Sequence, residues 1–215
     1  MRKLELWLVR HGETEWSRTG QHTGSADIAL TAIGEQQAMA LKSALSAQPF
    51  AKVLVSPLRR ARQTCDLAGF GDLAVTTPDL AEWNYGRYEG LTSADIRRQR
   101  PGWSIWGQGP EGGESVADVG VRAARVIESL AQVDGAVVLF AHGHILRILT
   151  ATWLGLAPDA GRLFALSTGT ISLLGFEHGT RVIRSWNQVP RSTSEALNPK
   201  LESESGSGTS KPQLL

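Results

Sequence analysis

Two apolar segments that lie far apart in the chain each end in a histidine followed by a glycine. The first runs from Leu6 to Val9 and leads into Arg10-His11-Gly12, and the second, Ala136 to Ala141, leads into His142-Gly143-His144. Strands of this composition are usually buried in a parallel sheet, and α/β proteins bind ligands outside the carboxyl ends of such strands. Glycine after each histidine lets the backbone come close to a ligand. The sequence therefore predicts a crevice bordered by a cation and by histidines from both ends of the chain.

Alternating strand and helix patterns connect these two segments. The predicted strands are Leu4 to Arg10, Lys52 to Ser56, Ala74 to Thr76, Ala136 to Ala141 and a β-hairpin of residues 170–177 and 180–186. One predicted helix follows the N-cap Thr31. The others cover residues 58–68, 92–100, 115–133 and 145–154. Pro57 suits the first position of the helix of residues 58–68. Such alternation predicts an α/β fold, a three-layer sandwich whose central sheet is mostly parallel and carries helices on both faces.

Two segments between these elements are predicted to form neither helix nor strand. Residues 12–30 are rich in Gly, Thr and Ser and predict a long polar loop, which is often functional. Residues 103–113 carry Trp103 and Trp106. They form either a lid over the crevice or a segment packed against the core.

The composition limits the size and the partners of the protein. With 215 residues, of which 41% are hydrophobic, the chain can bury one core, and a single domain of residues 1–189 is predicted. Residues 190–215 contain few core-forming side chains and predict a disordered tail. The 22 basic and 21 acidic side chains create no general field that would attract nucleic acid. An anion must therefore be held by a few placed cations.

The lone cysteine and the lack of long apolar stretches indicate the cellular compartment of the protein. Cys65 has no partner for an internal disulfide or a cysteine-based zinc site, and it is expected to be a buried helix residue. No stretch approaches the roughly 18 apolar residues of a membrane span, and the N-terminal apolar run lacks a small-residue cleavage site. The chain is therefore predicted to be cytoplasmic and to have no membrane partner.

Two further stretches contain charged residues that are candidates for the functional site. Arg59, Arg60 and Arg62 fall in the first turns of a helix, whose N–H groups favour anions, but at about 100° per residue they cannot all point the same way. Glu82 lies among aromatic side chains that include Trp83, an expected core anchor. Because a desolvated carboxyl has a raised pKa, Glu82 is expected to hold a proton near neutrality.

These features together resemble one known family, the histidine phosphatases, also called the phosphoglycerate mutase-like family. Its motifs are matched in order by Arg10-His11-Gly12-Glu13, Ser56 to Thr64, Glu82 and His142-Gly143, and the resemblance covers about residues 4–187. Thr14 to Ser17 and Gly20 to Gly24 are more similar to the branch that dephosphorylates sugar phosphates, including a sedoheptulose bisphosphatase, than to glycolytic mutases.

The resemblance implies a catalytic set of Arg10, His11, Arg60, Glu82 and His142. His11 would attack phosphorus and form a phosphohistidine, and His142 would donate a hydrogen bond to the same phosphoryl group. Arg10 and Arg60 would grip the phosphoryl oxygens, which makes Arg60 the inward-facing member of its cluster. Glu82 would protonate the departing oxygen and then take a proton from the attacking water.

By the same matching, the implied substrate contacts are Ser17, Thr23, Gly24, Tyr85 and Gly143. Ser17 departs from the asparagine of many members and offers a shorter side chain. The implied reaction is hydrolysis of a small phosphate monoester, with a sugar phosphate or a related metabolite as the partner and with no cofactor. No cluster of His, Cys or carboxylates has metal-ligand spacing, so activity is expected to survive chelators.

Two other functions fit the same motifs. A phosphoglycerate mutase uses the same nucleophile but excludes water and returns the phosphoryl group to a second hydroxyl. Mutases of the family carry a longer insertion with an arginine pair, and Arg97 and Arg98 keep this alternative open. The other alternative is a protein that binds a phosphorylated ligand without turnover. The sequence also leaves homo-oligomer formation open.

Overall fold

The structure, a computed structural model, describes residues 4–190 and contains a six-stranded sheet. Its strands are β1 (Glu5–Arg10), β2 (Phe50–Val55), β3 (Ala74–Thr76), β4 (Ala136–Ala141), β5 (Ile171–Glu177) and β6 (Thr180–Gln188). Their order across the sheet is β3-β2-β4-β1-β5-β6. The first four strands in this order are parallel, and β5 and β6 continue the sheet in antiparallel pairing. The predicted mostly parallel sheet is confirmed.

The helices are α1 (Glu15–Thr19), α2 (Ala32–Leu45), α3 (Arg59–Leu67), α4 (Ser93–Gln99), α5 (Ile105–Gln108), α6 (Val116–Ser129) and α7 (Gly143–Trp153). Short 3₁₀ turns cover Gly71–Leu73, Pro78–Leu80, Gly86–Tyr88 and Pro158–Leu163. Side-chain caps begin α2, α4 and α6, at Thr31, Thr92 and Ser115, and of these Thr31 was predicted as an N-cap. None of the helices within residues 4–190 has the length and apolar character needed to cross a bilayer.

Helices cover both faces of the sheet, as predicted. Because successive side chains of a strand point to opposite faces, β4 contributes to two separate cores. Val138 and Phe140 pack with residues of α2 and α3, and Val137 and Leu139 pack with residues of α6 and α7. Cys65 belongs to the first core, and burial raises the pKa of its thiol to about 12, which agrees with its predicted structural role.

Three local predictions were wrong or incomplete. Pro57 precedes the N-cap Leu58, so the helix begins at Arg59 and not at the proline. The expected loop of residues 12–30 contains α1, whose capping box pairs Thr14 with Ser17 where Glu or Gln is usual. Residues 103–113 contain α5, and Trp103 is only 2% exposed, so this segment packs against the core.

The described residues end close to the start of the predicted tail. Of residues 190–215, Pro190 alone is described, and the prediction of disorder therefore falls on residues outside the structure.

Candidate active site

The two histidine-glycine sequences meet because the strands that precede them are neighbours. β1 and β4 are parallel and paired, with Arg10 opposite Ala141. The backbone N–H of His11 donates to the Ala141 carbonyl at 3.0 Å. The rings of His11 and His142 have their centroids 5.2 Å apart. The predicted convergence of the two imidazoles at one sheet edge is therefore observed.

The His11 ring is buried, and its hydrogen bond determines which nitrogen is free. Nδ1 lies 2.7 Å from the Gly12 carbonyl oxygen, and since a carbonyl only accepts, Nδ1 carries the proton. Burial and the cations of Arg60 and Arg10 hold the pKa of His11 well below its usual range, and the Gly12 bond opposes them. The ring is therefore neutral at physiological pH, and Nε2 presents a lone pair.

Arg10 lies beside this ring and borders a cavity. Its Nη1 donates to the Leu166 carbonyl, while its buried Nε makes no hydrogen bond within residues 4–190. A Cβ at Gly143 would lie 3.4 Å from the guanidinium carbon of Arg10, which is a tight contact. Glycine at this position therefore leaves space for the arginine side chain. Burial lowers the pKa of Arg10 and the Glu82 carboxylate raises it.

Arg60 is the inward-facing arginine, as the resemblance implied, but it lies behind the cavity wall. The side chain is fully buried, whereas Arg59 and Arg62 are exposed. Its Nη atoms donate to carbonyl oxygens of the preceding loop, namely those of Thr23, Gly24 and Ala26. In this arrangement the guanidinium contributes positive charge to the site without facing the cavity.

His142 is likewise held by protein groups on both ring nitrogens. Arg60 Nε donates to His142 Nδ1 at 3.0 Å, so Nδ1 has no proton, and the protonated Nε2 donates to Ser56 Oγ at 2.6 Å. Burial, followed by the charge of Arg60, holds the pKa of His142 well below its usual range. A direct hydrogen bond from His142 to a phosphoryl group would therefore require an exchange of partners.

Glu82 accepts three backbone hydrogen bonds. Oε1 accepts from Trp83 N at 3.0 Å and Ile145 N at 2.9 Å, and Oε2 accepts from His144 N at 3.0 Å. Two of these donors belong to the first turn of α7, where the helix dipole also favours an anion. The sequence indicated the aromatic neighbours of Glu82 but not these backbone donors.

The cavity at this sheet edge has a volume of about 190 Å³. Of the predicted residues, it is lined by Arg10, His11, Ser17, Thr23, Glu82, Tyr85 and Gly143. Gly24 is predicted as a substrate contact but does not line it, since its N–H donates to Glu89 and its carbonyl accepts from Arg60.

Six lining residues were not among the predicted contacts: Gly20, Gln21, His22, His144, Arg147 and Leu166. His144 directly follows the second His-Gly pair, and this position was the signal that could have identified it. The Tyr85 hydroxyl and His144 Nδ1 share a hydrogen bond of 2.7 Å. Burial raises the pKa of Tyr85 and lowers that of His144 well below its usual range, so this pair is neutral.

Arg147 adds a second cation to the cavity wall. Its guanidinium carbon lies 4.7 Å from the centre of the Trp106 ring, and Nε and Nη2 donate to the carbonyls of Gly161 and Arg162. Nη1 makes no hydrogen bond to any residue in the described part. Residues 4–190 contain no group of three or more His, Cys, Asp or Glu side chains that could hold a metal ion. The cavity thus combines arginines, neutral histidines and one carboxylate.

A buried neutral imidazole with a free Nε2, an adjacent arginine and a nearby carboxylate define a site for phosphoryl transfer. A family model described as the histidine phosphatase superfamily (branch 1) matches residues 6–189, and the chain belongs to this superfamily. As a histidine phosphatase, it is a phosphoric monoester hydrolase. The family resemblance read from the sequence is confirmed.

Curated relatives carry several activity names. The chain is 42% identical to an acid phosphatase of Mycobacterium tuberculosis over 84% of this chain and 91% of the relative. It is 36% identical to sedoheptulose 1,7-bisphosphatase of Saccharomyces cerevisiae over 69% and 67% of the two chains. It is 32% identical to a Yersinia enterocolitica protein named "Probable phosphoglycerate mutase GpmB", over 85% and 90%.

A solved structure has the same fold. The structure of an open reading frame from Mycobacterium tuberculosis superimposes with a TM-score of 0.82 at 38% sequence identity. The match covers 87% of this chain and 98% of the other.

Proposed function

We propose that the protein hydrolyses small phosphate monoesters through a phosphohistidine on His11, without a metal ion. The observation that carries this proposal is the His11–Gly12 hydrogen bond of 2.7 Å, which leaves Nε2 unprotonated beside the guanidinium of Arg10. An attacking nitrogen needs such a lone pair, and a developing phosphoryl charge needs such a cation.

In the first half-reaction His11 Nε2 forms a bond to phosphorus while the bond from phosphorus to the ester oxygen breaks. The electron pair of the broken bond goes to that oxygen, which takes a proton from Glu82 and leaves as an alcohol. A general acid enters this step protonated, so Glu82 carries the proton that it gives to the departing oxygen.

In the second half-reaction a water molecule attacks the phosphorus of phosphohistidine, and Glu82 takes the proton of that water. The nitrogen–phosphorus bond breaks, its electron pair returns to Nε2, and inorganic phosphate leaves. Arg10 and the buried cation of Arg60 stabilise the charge on the phosphoryl oxygens in both steps. His142 contributes its hydrogen bond to the phosphoryl group after exchange of its Ser56 partner.

The proposed substrates are sugar phosphates or bisphosphates. Ser17 and Thr23 supply hydroxyl groups to the cavity, and Tyr85 supplies an aromatic wall. Arg147 supplies a cation apart from the nucleophile, which suits a second phosphate on the same substrate. The sedoheptulose 1,7-bisphosphatase relative supports this class of substrate. A cytoplasmic location, as the lone cysteine indicated, belongs to the same proposal.

A mutase activity is the second candidate, and the mutase-named relative supports it. The two arginines that kept it open do not line the cavity. Arg97 donates to the Trp103 carbonyl, and Arg98 is an exposed partner of Asp95. Their placement favours transfer to water over transfer to a second hydroxyl of a carboxylate-bearing substrate.

The test is release of inorganic phosphate from a panel of sugar mono- and bisphosphates, with EDTA present and with no bisphosphate primer. Wild-type protein is expected to release phosphate at the same rate with and without EDTA, because arginines supply the positive charge. His11→Ala is expected to lose at least a thousandfold in kcat while it keeps the fold.

Three outcomes would contradict the proposal. Loss of activity with EDTA that Mg²⁺ restores would contradict the metal-independent reaction. Phosphate release only after a bisphosphate primer is added would favour the mutase. A panel without turnover, combined with tight phosphate binding, would favour a binding protein.

A further inference from the structure

A partly buried ion pair lies next to Glu82, outside the cavity. Arg122 on α6 contacts Glu114 through both prongs of its guanidinium, with Nε to Oε1 at 2.7 Å and Nη2 to Oε2 at 2.9 Å. The side chains are only 14% and 23% exposed. A bidentate pair of this kind has a specific geometry in addition to its charge attraction.

The same guanidinium also binds the backbone that carries Glu82. Arg122 Nη1 donates to the carbonyls of Asp79 and Ala81 at 2.8 and 2.9 Å, and Nη2 lies 3.4 Å from the Glu82 carbonyl. These contacts hold the chain on the N-terminal side of the carboxylate. A lysine could not make them all, because it lacks the planar fork.

Glu114 holds the chain on the other side of Glu82. Its Oε2 accepts from Asn84 N at 2.9 Å, its backbone N–H donates to the Asn84 carbonyl at 3.0 Å, and its carbonyl accepts from Trp83 Nε1 at 2.8 Å. The ion pair therefore clamps residues 79–84 from both sides of the carboxylate.

We propose that Arg122 and Glu114 are positioning residues for Glu82. The inference rests on the proposed function, in which Glu82 gives a proton to the departing oxygen. Proton transfer requires hydrogen-bond reach, so a shift of an ångström in the Glu82 backbone slows the step. Neither residue lines the cavity, and the pair acts on Glu82 through its contacts with residues 79–84.

A merely structural role would lower the activity toward all esters in the same proportion. A positioning role affects esters according to how much their leaving oxygen needs a proton. p-Nitrophenolate leaves readily without one, whereas the alkoxide of glycerol 3-phosphate does not. The ratio of kcat/KM for these two esters also cancels any difference in the folded fraction.

The experiment measures this ratio for the full chain of the wild type, Arg122→Met, Arg122→Lys, Glu114→Gln and Glu82→Gln. The control is Arg125→Met, since Arg125 lies one turn further along α6 and its guanidinium binds the side chain of Asp79 in an exposed ion pair. We expect the ratio of glycerol 3-phosphate to p-nitrophenyl phosphate to fall about tenfold or more in Glu82→Gln. It should fall at least threefold in Arg122→Met and Glu114→Gln, less in Arg122→Lys, and stay within twofold in Arg125→Met.

Failure of the proposed function and failure of the positioning role give different results. If the wild type hydrolyses neither ester, or if Glu82→Gln leaves the ratio unchanged, the proposed function or its acid is wrong. If Glu82→Gln lowers the ratio but Arg122→Met and Glu114→Gln do not, the positioning role is wrong. Should Arg122→Met fail to fold, the isosteric Glu114→Gln decides by the same ratio.

Discussion

At the scale of single residues, the chemistry depends on the hydrogen bonds of three buried imidazoles. The Gly12 carbonyl accepts from Nδ1 of His11 and leaves its Nε2 free, whereas Arg60 donates to Nδ1 of His142, whose proton is therefore on Nε2. The Tyr85 hydroxyl shares a hydrogen bond with Nδ1 of His144. Burial is the largest cause of the lowered pKa of all three rings. The positive charge of the site therefore comes from its arginines, while the nucleophile remains neutral.

Arg147 is the residue that should distinguish bisphosphates from monophosphates. Arg147→Met keeps an unbranched apolar side chain but removes the cation, so the loss should fall on the second phosphate. A hydrogen bond to a charged group contributes about 1.5–3 kcal/mol, which corresponds to roughly a 10- to 100-fold loss in kcat/KM for a sugar bisphosphate. The loss for the matching monophosphate should be less than threefold.

The control for this measurement is Arg181→Met. Arg181 also lies 4.7 Å from a tryptophan ring, that of Trp153, but it does not line the cavity. Its substitution should leave the preference unchanged. An equal loss on both substrates in Arg147→Met would mean that this arginine does not bind a second phosphate.

At the scale of elements, helix α2 determines where the nucleophile loop lies. A Cβ at Gly12 would come within 2.2 Å of the Gly34 carbonyl oxygen, and a Cβ at Gly34 within 2.1 Å of the Glu13 carbonyl oxygen. Gly12 N also donates to Thr64 on α3 at 3.0 Å. The first turn of α2 and the turn after His11 thus pack backbone to backbone, which only glycines at both positions allow.

Gly34→Ala should therefore disturb catalysis as well as stability. The added methyl group must push the residues after His11 away from α2, and we expect kcat to fall at least tenfold and the Tm to fall by several degrees. The measurement is p-nitrophenyl phosphate hydrolysis together with thermal unfolding. Gly107→Ala is the matched control, because Gly107 is also helical and a Cβ there meets no atom within 4 Å. Full activity of Gly34→Ala would show that the loop can move without cost.

Glu82 connects the segment before α4 to helix α7 through hydrogen bonds that the sequence of neither segment indicates. The N-cap of α7 is His142, whose side chain makes no capping bond, and the carboxylate of Glu82 serves the first turn of the helix from a distant part of the chain. The same carboxylate thus caps the helix and is the acid in the proposed reaction. A phosphoryl group that binds here would compete with Glu82 for these N–H donors.

At the scale of the whole molecule, buried neutral histidines make stability dependent on pH. Burial lowers the pKa of His22 to about 4, whereas an unfolded histidine has a pKa of about 6.5. Below pH 6.5 the unfolded chain binds a proton that the folded chain does not bind until pH falls to about 4. His22 therefore reduces the free energy of unfolding as pH falls through this window, by about 3 kcal/mol in full.

His22→Gln should flatten this dependence. Between pH 7 and pH 5 the free energy of unfolding of the wild type is expected to fall by about 2 kcal/mol more than that of the variant. Urea unfolding at a series of pH values measures the difference. Parallel curves for the two proteins would mean that His22 titrates alike in the folded and unfolded chains.

The local pattern of the sequence was enough to predict most elements and the centre of the site. Apolar runs marked β1 and β4, whose parallel pairing brings His11 and His142 together, and the N-cap Thr31 marked the start of α2. The short helices α1 and α5 were missed. Their four or five residues are too few for a periodic pattern, and the α1 capping box uses a serine.

Local patterns in the chain are enough to predict which chemical groups follow the strands, because apolar runs mark where the strands lie. What each group contacts depends on the tertiary structure. Arg60 binds loop carbonyls, Glu82 caps α7, and Arg147 reaches the cavity through contacts between residues distant in the chain. Hydrogen-bond partners and burial depend on residues that are distant in the chain. They determine whether a side chain is charged and which of its donors and acceptors are free, and they do so more than its sequence neighbours do.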